Sequence, residues 1–213
     1  MIIYSPLDGD ALTSSVESRP RHCFLMTRLG KSIPGSLDNV RQTVTATCRS
    51  HKYSVIDATS QITGRDFLLK IWRQIASTPL CVGIAHEDIP AKTQANIYYE
   101  LGVAQALGKE TLLLKSPKID VPSDFVRSEY IAIDKNLGRI LGDYLASLPA
   151  QAEHYETVAE QLEKNPLLAI DYLRRAFLIT GESRLQKRAQ VILRDAKVGE
   201  RAKNSVEMLA ATF

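Results

Sequence analysis

The sequence predicts an α/β fold, a parallel sheet with helices on both faces, followed by a helical extension. Three observations predict it. Between residues 21 and 149, short runs that are apolar throughout alternate with stretches of helical periodicity, the pattern of parallel strands buried on both faces. Clusters of Gly, Pro, Asn, Asp and Ser punctuate the alternation. Beyond Pro149 the strand-like runs stop and only helical stripes continue.

The elements follow in order. Residues 1–20 carry Pro, Gly, Asp and Ser with little periodicity and read as a loosely held leader. Cys23-Phe24-Leu25-Met26 has the length and composition of a buried strand, and the turn-rich Arg28-Leu29-Gly30-Lys31-Ser32-Ile33-Pro34-Gly35-Ser36 is the loop beyond it. Val40, Val44 and Cys48 recur at helical spacing. Tyr53-Ser54-Val55-Ile56 is a second strand, ending at Asp57. Thr63-Gly64-Arg65-Asp66 has the form of a capping box, hydroxyl and carboxylate satisfying the first free amides of a helix. The stripe behind it is Leu68, Ile71, Trp72 and Ile75, with Trp72 as core. Leu80-Cys81-Val82-Gly83-Ile84-Ala85 is a third strand, and a polar loop from His86 to Gln94 follows. Asn96 is then the expected N-cap of a helix running to Leu107 and stopped by Gly108-Lys109. Thr111-Leu112-Leu113-Leu114 and Tyr130-Ile131-Ala132-Ile133 supply two more strands, and a helix over 137–148 closes this part. Five such strands make a flavodoxin-like or Rossmann-like three-layer sandwich over residues 21–149.

Residues 150–213 are expected to be helical throughout. Tyr155, Val158, Ala159 and Leu162 form one stripe; Ala169, Tyr172, Leu173, Ala176 and Phe177 form the next; Leu185, Ala189, Ile192 and Leu193 form a third. Asn165-Pro166 and Gly181-Glu182-Ser183 break them. The arrangement is that of a single tetratricopeptide-like hairpin with a trailing helix, suited to forming a homo-oligomer or holding a protein partner.

Composition narrows the function classes. A chain of 213 residues buries roughly 70% of its unfolded surface and needs no disulfide or metal to hold a core. A net charge of +3 without any basic run disfavours a nucleic-acid partner. Cys23, Cys48 and Cys81 are isolated and lack metal-ligand spacing, so they read as reduced buried thiols, and no metal or cofactor is implied. No signal-peptide pattern or membrane-length apolar stretch is visible, so a cytoplasmic protein without a membrane partner is expected.

In a parallel α/β sheet the ligand crevice lies beyond the carboxyl ends of the strands. Asp57, the loop around His86 and Asp88, the loop carrying Arg28 and Lys31, and the helix start at Asn96 all fall there. Residues three and four apart share a helix face, so Asn96, Tyr99 and Glu100 are expected to point into the crevice together, with Ile97, Leu101 and Ala104 on the sheet. A carboxylate beside an anomeric carbon stabilises an oxocarbenium-like transition state or attacks it, and Asp57 is the best candidate to protonate the leaving base. The plainer alternative is that Glu100 complements the helix dipole. Gly102, inside the helix, suggests a close backbone approach. Arg28 and Lys31 are candidates for a phosphate, or solvated loop charges; His86 is a candidate acid or base, or an exposed loop histidine. The serines show no nucleophile elbow or triad spacing.

Phe24-Leu25-Met26, Asp57, Gly64-Arg65-Asp66 and above all Asn96-Ile97-Tyr98-Tyr99-Glu100-Leu101-Gly102-Val103-Ala104-Gln105-Ala106-Leu107-Gly108-Lys109 resemble the nucleoside 2-deoxyribosyltransferase-like family. That family is related to the TIR-like nucleotide-binding domains of prokaryotic signalling and defence proteins. Its hallmark is an Asn-aliphatic-aromatic-Tyr-Glu-Leu-Gly segment continued by a small-residue helix and Gly-Lys. The resemblance covers roughly residues 22–135 and implies a flavodoxin-like fold and cleavage or transfer at an N-glycosidic bond. It makes Glu100 the nucleophile, and Asp57 and Tyr99 ligand contacts. The chain departs from the pattern after the third strand, where Ala85-His86-Glu87-Asp88-Ile89-Pro90 lengthens the loop and Asp88 is the candidate for the family's aspartate; Ala95 also replaces the usual proline.

The leading expectation is therefore an N-glycosidic hydrolase or transferase acting on a nucleoside, a nucleotide or NAD. A module that senses a nucleotide without cleaving it, and a scaffold assembling through residues 150–213, are the two rivals.

Overall fold

The apolar runs become strands: β1 (His22–Met26), β2 (Ser54–Ile56), β3 (Leu80–Ala85), β4 (Glu110–Lys115) and β5 (Tyr130–Ala132). The structure, a computed structural model, describes residues 16–30, 32–58, 67–125, 130–162 and 164–195. Lys31, the capping-box pattern Thr63-Gly64-Arg65-Asp66 and residues 1–15 and 196–213 lie outside the described residues. The five strands pair in parallel in the order β2-β1-β3-β4-β5, an α/β Rossmann-like sheet. Every residue of β3, the central strand, is buried, which is why that run shows no polar alternation.

Helices α1 (Gly35–Ser50), α2 (Phe67–Ser77), α3 (Ala91–Ala106) and the first part of α4 (Leu137–Gln161) cover the sheet. Right-handed crossovers put α1 on one face and α2 and α3 on the other. The contacts agree: α2 packs on α3 and α3 on β3 and β4, while Gly138 and Gly142 of α4 lie against Thr43, Thr47 and His51 of α1 and its C-terminus. Leu37, Val40, Val44 and Cys48 form the inward stripe of α1.

Three local expectations are corrected. Helix α3 begins at Ala91 with Pro90 as N-cap (φ −56°, ψ 143°), so Asn96 is not the cap but sits in the second turn. Proline fixes the φ of the cap residue, and nothing between Ala91 and Ala95 opposes helix. Gln94 then closes the preceding loop, its Nε2 donating to the carbonyls of His86 and Ile89 at 3.0 Å each. At the other end the expectation holds: Gly108 (φ +65°) donates to Gln105 O, and Lys109 donates to Ala104 O, a Schellman stop.

The close approach expected at Gly102 occurs instead at Gly83. A Cβ on Gly102 would meet nothing within 4 Å, whereas one on Gly83 would lie 2.6 Å from Leu101 Cδ1 and 3.0 Å from Ile97 Cγ2. The missing side chain is therefore needed on the strand, where α3 seats Ile97 and Leu101.

Pro149 does not end a helix. Helix α4 runs through it from Leu137 to Gln161. A proline inside a helix removes one backbone bond and crowds the preceding turn, at about 3 kcal/mol; the buried Leu145, Leu148 and Ala152 on either side offset that cost.

The chain divides into two compact units, residues 22–146 and residues 1–21 with 147–213, a division that falls within α4. In the second unit, α5 (Pro166–Thr180) and α6 (Ser183–Asp195) follow the end of α4. Asn165 caps α5, its side chain accepting from Leu168 N, and Gly181 in the left-handed region (φ 72°) ends it, as the sequence predicts. Arg184 grips Glu156 through Nη1 (2.5 Å) and Nη2 (2.7 Å), and Arg188 reaches Glu160 at 3.0 Å, tying α6 to the end of α4. Residues 16–21 belong here too: Arg21 donates its amide to Leu178 O (2.8 Å) and its Nε to Thr180 O (2.8 Å). Among the described residues no helix is long and apolar enough to cross a membrane.

Candidate functional site

The order β2-β1-β3 sets the site. From β1 the chain crosses to β2 by α1 on one face, and from β3 to β4 by α3 on the other, which opens a crevice beyond the carboxyl ends of β1 and β3. A cleft of about 270 Å³ lies there, formed by residues 24–29 of β1 and its following turn, Ala58 beyond β2, Phe67 and Ile71 of α2, and Thr93, Asn96, Ile97 and Glu100 of α3. Its volume is near the lower end of the usual small-molecule range of roughly 300–1,000 Å³, and its mixture of apolar walls with a few polar groups is usual for such a site.

Successive helical residues turn by about 100°. Thr93, Asn96, Ile97 and Glu100 therefore share one side of α3, and all four line the cleft. Tyr99 does not join them, contrary to expectation. It adjoins Glu100 in sequence and is turned away by that same 100°, leaving it 50% exposed. Tyr98 points elsewhere again, stacking on Phe125 with ring centroids 5.4 Å apart.

Glu100 is half-buried. Among the described residues no hydrogen bond or ion pair reaches its carboxylate, and burial pushes its pKa up to about 7. With α3 starting at Ala91, Glu100 lies in the third turn, where the helix dipole has faded; a dipole-complementing role is thus excluded by position. A carboxyl that exchanges its proton near neutrality is suited to acid–base or nucleophilic work.

The other expected site residues are distributed differently. Arg28 lines the cleft and donates Nη1 to the carbonyl of Asp88 at 3.0 Å. Asp88 does not line it. Its carboxylate accepts from Ser36 Oγ, so Asp88 links the start of α1 to the β3–α3 loop. Asp57 pairs with Arg41 of α1 at 3.0 Å and is not among the cleft residues. It follows directly on β2, and the α1 cation draws it toward the opposite face from α2 and α3. His86 is buried, 5% exposed, rather than an exposed loop residue. Its Nδ1 accepts the Asp88 amide at 3.1 Å, which shapes the loop. Glu87 beside it accepts from Ser116 and lies near Lys118, and these contacts hold its pKa down to about 2. All three cysteines are buried and free, and burial pushes the Cys81 thiol up to about 12. Among the described residues no His, Cys, Asp or Glu group is arranged to hold a metal.

Three polar or aromatic cleft residues escaped the sequence reading. Thr27 follows β1 directly; it is 6% exposed, and its Oγ1 has no hydrogen-bond partner among the described residues. Its place at the carboxyl end of the first strand was the available signal. Thr93 is legible only once the helix start moves to Ala91. Phe67 follows residues whose local pattern drew attention to capping instead.

These features define an α/β parallel-sheet protein with a switch-point cleft lined by a carboxyl that has no partner among the described residues. Comparison of the chain with protein-family models and with curated proteins finds no match, so the resemblance noted for residues 96–109 rests on those residues themselves.

Proposed function

We propose that this protein breaks or transfers an N-glycosidic bond in a nucleoside, a nucleotide or NAD, with Glu100 as the nucleophile. The observation that carries the proposal is the state of that carboxyl: half-buried, without a partner among the described residues, and lining the switch-point cleft. Among the described residues no hydrogen bond or ion pair engages its charge, which is available to an electron-poor carbon. Attack on the anomeric carbon forms a glycosyl ester, while the C–N bond electrons leave with the base; water or an acceptor base then takes the sugar from Glu100. Asn96 and Thr93, on the preceding turns, supply hydrogen bonds to the sugar, and Phe67 and Ile71 supply an apolar wall for the base. The finer fold assignment that accompanies this function is a flavodoxin-like three-layer sandwich. The end of α4 with α5 and α6 serves as a tetratricopeptide-like hairpin with a trailing helix that brings subunits or partners together, in a cytoplasmic defence or signalling role.

The test is incubation with NAD and a panel of nucleosides and nucleotides, with release of free base followed by chromatography. Turnover by the wild type that is lost in Glu100→Gln is the expected result. No turnover of any member, or undiminished turnover by Glu100→Gln, would refute the proposal.

A second reading has its own support. With Asp57 held by Arg41, Glu100 is the one carboxylate lining the cleft among the described residues, so an acid for a neutral leaving base is lacking there. That favours a module that binds a nucleotide and leaves it whole. Saturable binding by calorimetry, with intact ligand recovered afterwards, distinguishes it from the enzyme.

A further inference from the structure

The cleft is lined by groups of opposite charge, Glu100 on α3 and Arg28 beyond β1. Leu101, next to Glu100, packs against Gly83, and Gly83 lies opposite Met26 of β1. Arg28 is two residues beyond Met26, about 7 Å further along the chain at strand rise. The backbone of Arg28 thus lies further toward the carboxyl edge of the sheet than the level at which Leu101, the neighbour of Glu100, is seated. Among the described residues Arg28 uses only Nη1, on Asp88 O, which fixes the side chain in place and leaves most of its five donors uncommitted. Beside Arg28 lies Thr27, 6% exposed, whose Oγ1 has no hydrogen-bond partner among the described residues. A buried hydroxyl without a partner is costly, and Thr27 lines the cleft, where a ligand oxygen would satisfy it.

We infer that the ligand of this cleft is an N-glycoside carrying a 5′-phosphate ester, free or within a dinucleotide, with Arg28 and Thr27 as the phosphate contacts. A sugar ring with one phosphate on its 5′ carbon presents an anomeric carbon and a phosphoryl group at opposite ends, matching a carboxylate and a guanidinium that line one cleft. A guanidinium held by one hydrogen bond is preorganised for a phosphate oxygen pair, and such charge-assisted bonds are about twice as strong as neutral ones. The inference rests on the function proposed above and specifies its substrate: the bare nucleoside is the poorer ligand.

The experiment is calorimetric titration of the full chain with matched pairs, adenosine with its 5′-monophosphate and nicotinamide riboside with its 5′-monophosphate, alongside NAD. The wild type is expected to bind the phosphorylated member at least about tenfold more tightly. That preference should shrink as salt rises from roughly 0.05 to 0.5 M, because the Debye length falls several-fold. In Arg28→Gln the affinity ratio within a pair should fall toward one, in Arg28→Lys it should stay intermediate, and in Thr27→Val it should drop by a smaller factor. The ratio cancels any general loosening of the cleft, and the wild-type salt dependence tests the contact with no variant at all. Equal affinity within the pairs, or a preference that survives Arg28→Gln, overturns the inference while leaving N-glycosidic cleavage standing. Failure to bind any member overturns both.

Discussion

Replacing Glu100 by Gln should make the protein more stable in mild alkali and leave it nearly unchanged in mild acid. The side chain keeps its shape and loses only its ionisation. Burial raises the folded-state pKa of Glu100 from the ordinary 4.5 to about 7. A group raised on folding stabilises fully below its unfolded value, and that contribution is lost as pH rises through the folded value. At 1.36 kcal/mol for each tenfold change, the whole effect is up to about 3 kcal/mol, most of it lost between about pH 5 and pH 8.5. For a chain of this size that corresponds to roughly 5–10 °C in Tm. Urea denaturation of wild type and Glu100→Gln at both pH values measures it. The expected result is near-equal stability at the acid pH and a variant more stable by about 2–3 kcal/mol at the alkaline one. An equal difference at both pH values, or a variant less stable in alkali, would show that the ionised carboxylate has a stabilising partner and would remove the basis for calling it free. The cost of burying this charge is what a site retained for its chemistry is expected to carry.

Other perturbations follow from the same geometry. If Glu100 attacks as the carboxylate, kcat/KM should rise with pH and level off above about 7 as the proton leaves; a profile falling through that pH would assign it the role of an acid instead. Gly102→Ala should stabilise by about 0.5–1 kcal/mol, since the new methyl meets nothing and the helix gains propensity. Gly83→Ala, 2.6 Å from Leu101, should destabilise by about 1–3 kcal/mol through overpacking, and thermal denaturation compares the two. Asp57→Asn breaks the pair with Arg41 and should cost about 1–3 kcal/mol by leaving a part-buried cation unpaired. Its turnover, measured by base release, should fall far less than that of Glu100→Gln; equal losses would return Asp57 to the chemistry.

The sequence by itself determined the strands, the alternation and the broad location of the site. Strands buried on both faces have no polar alternation, so β1, β3 and β4 stand out as apolar runs. The stops at Gly108 and Gly181 are legible because few residues other than glycine accept a left-handed backbone. That Arg28, Asn96 and Glu100 come to one cleft was also legible in the sequence, because strand ends and helix periodicity are local properties.

Only the tertiary structure decided how those residues are shared between sites. Asp57 and Asp88 look equivalent in sequence, as acids beyond strand ends. Arg41 holds the first on the α1 side, and Ser36 takes the carboxylate of the second. Neither partner is near in the chain. Pro149 reads as a boundary because its local cost is known, while the packing that offsets it is not. Gly102 drew attention that belonged to Gly83, since a close approach has two sides and the sequence does not say which needs the room. The absence of any partner for Glu100 among the described residues, and so its availability for chemistry, depends on what the rest of the fold leaves unoccupied around it. Periodicity is written one element at a time; partnership between side chains is settled only when the elements pack.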